Sequence, residues 1–129
     1  MVNVIRLVLG LIAAFFIIFG LRFMLTPEAM AVEFFISPVG AAGLSTVRGD
    51  LGGAFLGIGT FIILGLRPLA TQWLHAAALI LGTIALGRVV GFAVDGAVPS
   101  AVTGCIVEVV FVVLLEIGAR RLRNTSAGV

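Results

Sequence analysis

The chain has no lysine and no tyrosine, and only one cysteine, one histidine and one tryptophan in 129 residues. Charge of either sign is scarce: 11% of residues are ionisable, where an ordinary globular domain carries about 25%. A soluble domain of this size could not cover its core with so few charges. Cys105 alone excludes an internal disulfide scaffold, and His75 alone excludes paired haem ligation. With no Cys–His cluster, no metal site is expected. A net charge of +2 without a basic face argues against nucleic acid as a partner. No Walker loop, nucleophile elbow or HExxH motif is present, so neither a catalytic residue nor a cofactor is expected.

What fills the chain instead is apolar, at 61% of residues. A helix crossing a hydrocarbon core about 30 Å thick needs roughly 20 apolar residues. Four runs meet that length, at about 4–25, 41–66, 68–94 and 100–121. Arg67-Pro68 separates the second and third, with Pro68 suited to a first helical position, and Asp95-Gly96-Ala97-Val98-Pro99-Ser100 marks the next turn. The expected fold is an all-α membrane protein, with four spans in an up-down-up-down bundle forming one domain over 1–123 and a polar tail over 124–129.

Residues 27–36 read differently. Thr26 suits an N-cap, Pro27 the first helical position, and Glu28 adds favourable charge there. Met30 and Phe34 fall one turn apart, as do Ala31 and Phe35, leaving Glu28 and Glu33 for water. This pattern predicts a short amphipathic helix on the membrane surface. Ser37-Pro38 repeats the start signal, an alternative origin for the second span. Ala29-Met30-Ala31 has the small residues of a cleavage site, but the apolar run before it exceeds the 7–15 residues of a signal core, so the first span is expected to stay.

The arginines predict orientation. With four spans, both ends and the middle turn share a side carrying Arg6, Arg67, Arg120, Arg121 and Arg123 against Glu116. The other half holds Arg22, Arg48 and Arg88 against Glu28, Glu33, Asp50, Asp95 and Glu108. The positive side faces the cytoplasm, so a multi-pass inner-membrane protein with both termini cytoplasmic is expected.

Several charges lie deeper than orientation requires. Arg48 and Asp50 fall inside the second span and Arg88 inside the third; Glu108 lies roughly 13 Å into the fourth, at 1.5 Å per residue. Arg22 and Asp95 sit nearer the outer interface. Ionisable groups inside a membrane usually face the bundle interior, find partners and mark function. The expectation is therefore a buried network in the outer half, with Arg48 or Arg88 pairing Glu108 and Asp50. Such a network has three readings: a lock on helix register, a binding pocket, or a proton relay. Arg22 and Asp95 have the further option of reaching the headgroups without any other role. On a straight α-helical wheel Asp50 shares a stripe with Gly53, Ala54 and Gly57 and lies about 200° from Arg48. Gly49, Gly53 and Gly57 form a small-residue ladder, and Gly87 and Gly91 flank Arg88; both are expected helix-packing faces. His75 is expected to be a core or interfacial histidine, Cys105 a small buried hydrophobe, and Trp73 an interfacial anchor.

The runs Val8-Leu9-Gly10-Leu11-Ile12, Phe19-Gly20-Leu21-Arg22, Ile36-Ser37-Pro38-Val39-Gly40, Arg48-Gly49-Asp50-Leu51-Gly52-Gly53 and Leu86-Gly87-Arg88-Val89-Val90-Gly91, with Asp95-Gly96 and Glu108, carry a family resemblance. Together they resemble a family of small bacterial membrane proteins, domain of unknown function 4345, with a distant similarity to DoxX-like proteins. The Arg-x-Asp-x-Gly-Gly segment is its most specific part. The resemblance implies a four-helix bundle and marks Arg48, Asp50, Arg88 and Glu108; it implies no activity. Two functions remain open. One is binding or carrying a small amphipathic or anionic molecule in the outer polar layer. The other is a non-enzymatic accessory subunit whose glycine faces dock a membrane-protein partner or a second copy. Membrane lipids are partners in either case.

Overall fold

The structure, a computed structural model, describes residues 2–127, which are helix and turn with no strand among them. Helix α1 covers Val2–Leu25, α2 Pro27–Glu33, α3 Gly40–Thr46, α4 Gly53–Gly65, α5 Gln72–Val94 and α6 Pro99–Ala127; a π-helical segment, Val47–Gly52, joins α3 to α4. Four stretches are long and apolar enough to cross a membrane: Val2–Leu25, Gly40–Gly65, Gln72–Val94 and Pro99–Thr125. This is the architecture of an all-α, multi-pass membrane protein.

The ends of the spans differ from expectation for local reasons. The third helix starts at Gln72 rather than at Pro68. Pro68 instead occupies the second position of a turn closed by Ala70 N–H donating to the Arg67 carbonyl, with Leu69 at φ +58°. Proline followed by a positive φ is the pattern of a type II turn, which a helix cannot absorb. The fourth helix runs six residues beyond Arg121, so the expected polar tail is helical through Ala127; Gly128 and Val129 lie outside the described residues.

The chain divides into two compact units. In the first, Leu11–Thr60, buried Phe23, Met30 and Val47 form a core, with Phe19, Phe34, Ile36, Leu51 and Phe55 packed against it. The Phe23 ring lies 4.9 Å from Phe34 and 5.2 Å from Phe55, close enough for aromatic pairs worth about 0.5–1.5 kcal/mol each beyond area burial. Here α1 and the second span approach closely at glycines. A Cβ on Gly20 would lie 2.8 Å from the Leu56 amide, and one on Gly59 3.1 Å from the Ala13 carbonyl oxygen.

Helix α2 forms, but its apolar face is spent on protein. Pro27, Met30 and Ala31 are buried, whereas Phe35, expected on the same face, is 82% exposed. The chain reverses too early for Phe35 to join them. Ile36 N–H donates to the Ala31 carbonyl and Phe35 N–H to that of Val32, with Phe35 at φ +57°. These are the two bonds of a Schellman motif, built here around phenylalanine where glycine is usual.

The second unit comprises Met1–Gly10 with Phe61–Val129. Its long helices α5 and α6 pack along one another, burying Leu74, Ala77, Leu81 and Ala85 of α5 and Leu115, Ala119 and Leu122 of α6. Gly96 takes φ +91° in the intervening turn, where an L side chain would be strained, and Pro99 opens α6. Gly118 gives Leu9 room on α6; a Cβ there would sit 2.8 Å from Leu9 Cδ1.

Candidate functional site

The six charged residues expected to share a buried layer are described within each unit separately. No charged residue among those described is buried, and the charges settle into separate local arrangements. The physical reason is the cost of taking an ion out of a polar surrounding, which short-range pairing at a partly open position offsets more easily than burial.

In the unit Leu11–Thr60, Arg22 pairs through Nη2 with Glu33 Oε1 and lies over the Phe19 ring, 5.6 Å from its centroid. Both side chains are more than 40% exposed, at 41% and 46%, so in water such a pair is worth only about 0.2–1 kcal/mol. It clips the end of α1 to the end of α2. Arg48 donates from Nε to the Met24 carbonyl at 3.0 Å. That carbonyl belongs to the last turn of α1, where acceptors lack helical partners and a cation is favoured, so Arg48 caps α1 from the π segment. Asp50, expected to pair with an arginine, makes no side-chain hydrogen bond or ion pair among the described residues.

Close approaches within each unit fall on other glycines than those of the two ladders. A Cβ on Gly49, Gly53, Gly57 or Gly87 would meet nothing within 4 Å, and one on Gly91 only Asp95 Oδ2 at 4.0 Å. The contacts fall instead on Gly20, Gly52 and Gly59 in one unit and on Gly65, Gly104 and Gly118 in the other.

Arg88 and Glu108 do come together, on α5 and α6. Arg88 Nε donates to Glu108 Oε1 at 2.8 Å. The Glu108 side chain is 13% exposed and its Oε2 is buried without a partner; Arg88 is 33% exposed. Gly104, one turn before Glu108, leaves room beside the pair: a Cβ there would lie 3.0 Å from Arg88 Cζ, so the guanidinium rests against bare backbone. Cys105 Sγ lies 3.9 Å from the Ala85 carbonyl oxygen as a weak donor, and the cysteine is half-buried.

A second pair on the same two helices escaped the reading of the sequence. His75 Nδ1 lies 2.8 Å from Glu116 Oε1, both side chains half-exposed. The two border a groove of about 450 Å³ that continues along Ala78, Gly82, Leu86 and Val112. The available signal was the turn itself. In antiparallel helices, residues roughly equidistant from the turn face one another, and both polar pairs satisfy that condition about the turn at 95–98.

Residues 4–118 match the family described as a domain of unknown function (DUF4345). The chain belongs to that family. The match takes in both polar pairs of this DUF4345 protein, Arg88–Glu108 and His75–Glu116, as well as the π segment. No curated protein and no solved structure matches the chain.

Proposed function

We propose that this DUF4345 protein is an inner-membrane protein, with both termini cytoplasmic, that binds or carries a small amphipathic molecule with an anionic head at Arg88 and Glu108. The reading rests on the incomplete closure of that pair. Guanidinium and carboxylate ordinarily close a two-bond fork, and an apolar setting favours it. Here a single bond from Nε is made, the Nη groups have no hydrogen-bond partner among the described residues, and Glu108 Oε2 is left buried and unsatisfied. Leaving a buried acceptor unpaired costs about 1–3 kcal/mol, more when it is charged, so a purely structural pair has reason to close. An anionic head takes the Nη donors, and a head that also carries a hydroxyl hydrogen supplies the donor Oε2 lacks. Asp50 and Asp95 remain available as further polar groups of the outer layer.

Dodecyl phosphate tests the reading, since its head offers both anionic oxygens and a P–OH. At a hundredfold excess over its dissociation constant a ligand stabilises the folded state by about 2.7 kcal/mol, which is read as a higher thermal midpoint in detergent. The double variant Arg88→Gln/Glu108→Gln, which keeps the site uncharged and hydrogen-bonding, is expected to lose that shift. An equal shift in wild type and double variant rejects the site.

A second reading is favoured by the open glycine face. Because a Cβ on Gly49, Gly53 or Gly57 would meet nothing within 4 Å among the described residues, the small-residue ladder suits a helix of a partner protein or a second copy. Crosslinking in membranes separates the two, since docking predicts an adduct at these positions and ligand binding does not.

A further inference from the structure

The groove beside His75 and Glu116 lies apart from the Arg88–Glu108 pair, and its chemistry is different. A carboxylate cannot donate, so the bond between His75 Nδ1 and Glu116 Oε1 requires the proton on Nδ1. In the tautomer that carries its only proton on Nδ1, Nε2 is an acceptor, for which no donor exists among the described residues. The Thr83 hydroxyl, also on the groove, is already committed to the Ile80 carbonyl at 2.7 Å. One end of the groove thus carries acceptors, and the rest of its length is apolar apart from the Thr83 hydroxyl.

The dimensions match half a membrane. His75 is three residues into α5, so the polar end lies about 5 Å from the start of the span. From His75 to Leu86 the groove follows α5 for roughly 16 Å at 1.5 Å per residue. One leaflet of a hydrocarbon core about 30 Å thick has that depth. The volume of about 450 Å³ falls within the range of about 300–1,000 Å³ typical of small-molecule sites. Ala78 and Gly82, four residues apart, provide the room, and a Cβ on Gly82 would meet nothing within 4 Å.

Charge selects the head. Glu116 opposes an anion, while Arg120, exposed and one turn further along α6, and Arg121 beyond it oppose a cation. Acceptors at the mouth require a head that donates. We infer that this groove binds a single-chain amphiphile with an uncharged hydroxyl head, its O–H donating to His75 Nε2 and its chain lying along Ala78, Gly82 and Leu86. The site is independent of the anionic one at Arg88, and the two are tested by different heads and different residues.

Because His75 is the one histidine of the chain, uniform ¹⁵N-histidine labelling gives a single imidazole to observe. Titrating 1-dodecanol into labelled protein in lipid nanodiscs is expected to move the Nε2 resonance saturably while Nδ1 keeps its proton. Dodecane at the same mole fraction leaves both unchanged. Gly82→Leu places its Cβ where nothing lies within 4 Å and its branch in the groove, and is expected to weaken the dodecanol titration by about tenfold or more with the thermal midpoint retained. The inference is overturned if dodecanol produces no saturable shift, if dodecane shifts Nε2 equally, or if Gly82→Leu titrates like wild type.

Discussion

Phe35 shows how a single position can carry conformational cost without packing benefit. Its φ of +57° is unfavourable for any residue with a Cβ, by about 1–2 kcal/mol, and its ring is 82% exposed. Phe35→Gly removes the penalty and gives up little burial. The expected outcome in detergent is a gain of about 1 kcal/mol, seen as a higher midpoint of thermal unfolding, whereas loss of stability would show that the ring's own contacts outweigh the backbone. Arg48 makes a complementary point. Its position inside a span flagged it by charge alone, yet the group it serves is a carbonyl 24 residues earlier. Backbone acceptors have no residue letter, so nothing in the sequence pairs Arg48 with Met24. By contrast Arg88 and Glu108 are both letters of unusual cost in an apolar run, and their meeting was legible as one of two options. His75–Glu116 stayed hidden because Glu116 was counted with the orienting charges of its end of the span.

Among the elements, the second span teaches most. Existence and length of all four spans followed from apolar run length, and the turn at 95–98 from Asp-Gly and Pro, because these are local signals. Which face of the second span meets α1 was not legible, because the wheel assumed an unbroken α-helix. The π segment Val47–Gly52 bonds over a longer interval and advances fewer degrees per residue, so residues beyond it are rotated from their α-helical positions. The face that meets α1 carries Gly52, Leu56 and Gly59, whereas a Cβ on Gly49, Gly53 or Gly57 meets nothing within 4 Å. Substitutions discriminate the two faces. Gly59→Ala is expected to cost about 1–3 kcal/mol, as overpacking does, because its Cβ would lie 2.7 Å from Ile17 Cγ1 and 3.1 Å from the Ala13 carbonyl. Gly57→Ala is expected to be neutral or slightly stabilising in the isolated protein, and equal losses in unfolding assays would contradict the assignment.

For the molecule entire, composition decided the class and left the chemistry open. Sixty-one per cent apolar content requires a membrane, and the four spans supply the surface that faces it. Orientation rests on the arginine bias, five on the side of the ends and the middle turn against three on the other. Fluorescent protein fused after Val129 is expected to fluoresce, and alkaline phosphatase at the same place to stay inactive; the reverse pattern would invert the topology. On that orientation the proposed anionic site at Arg88 belongs to the outer leaflet and the proposed hydroxyl-selective groove at His75 to the inner one. The two leaflets would then be read by one pair of helices, one site taking an anionic head and the other an uncharged one.

The π segment also bears on how the second span will respond to scanning mutagenesis. Residues before it answer to one set of neighbours, since a Cβ on Gly43 would lie 2.9 Å from the Pro38 backbone, and residues after it to another, on α1. A periodic pattern of sensitivity along 40–65 should therefore appear as two waves joined at a phase slip near Asp50. Fitting one sinusoid through both would average them away, and would make a tightly constrained helix look indifferent to change.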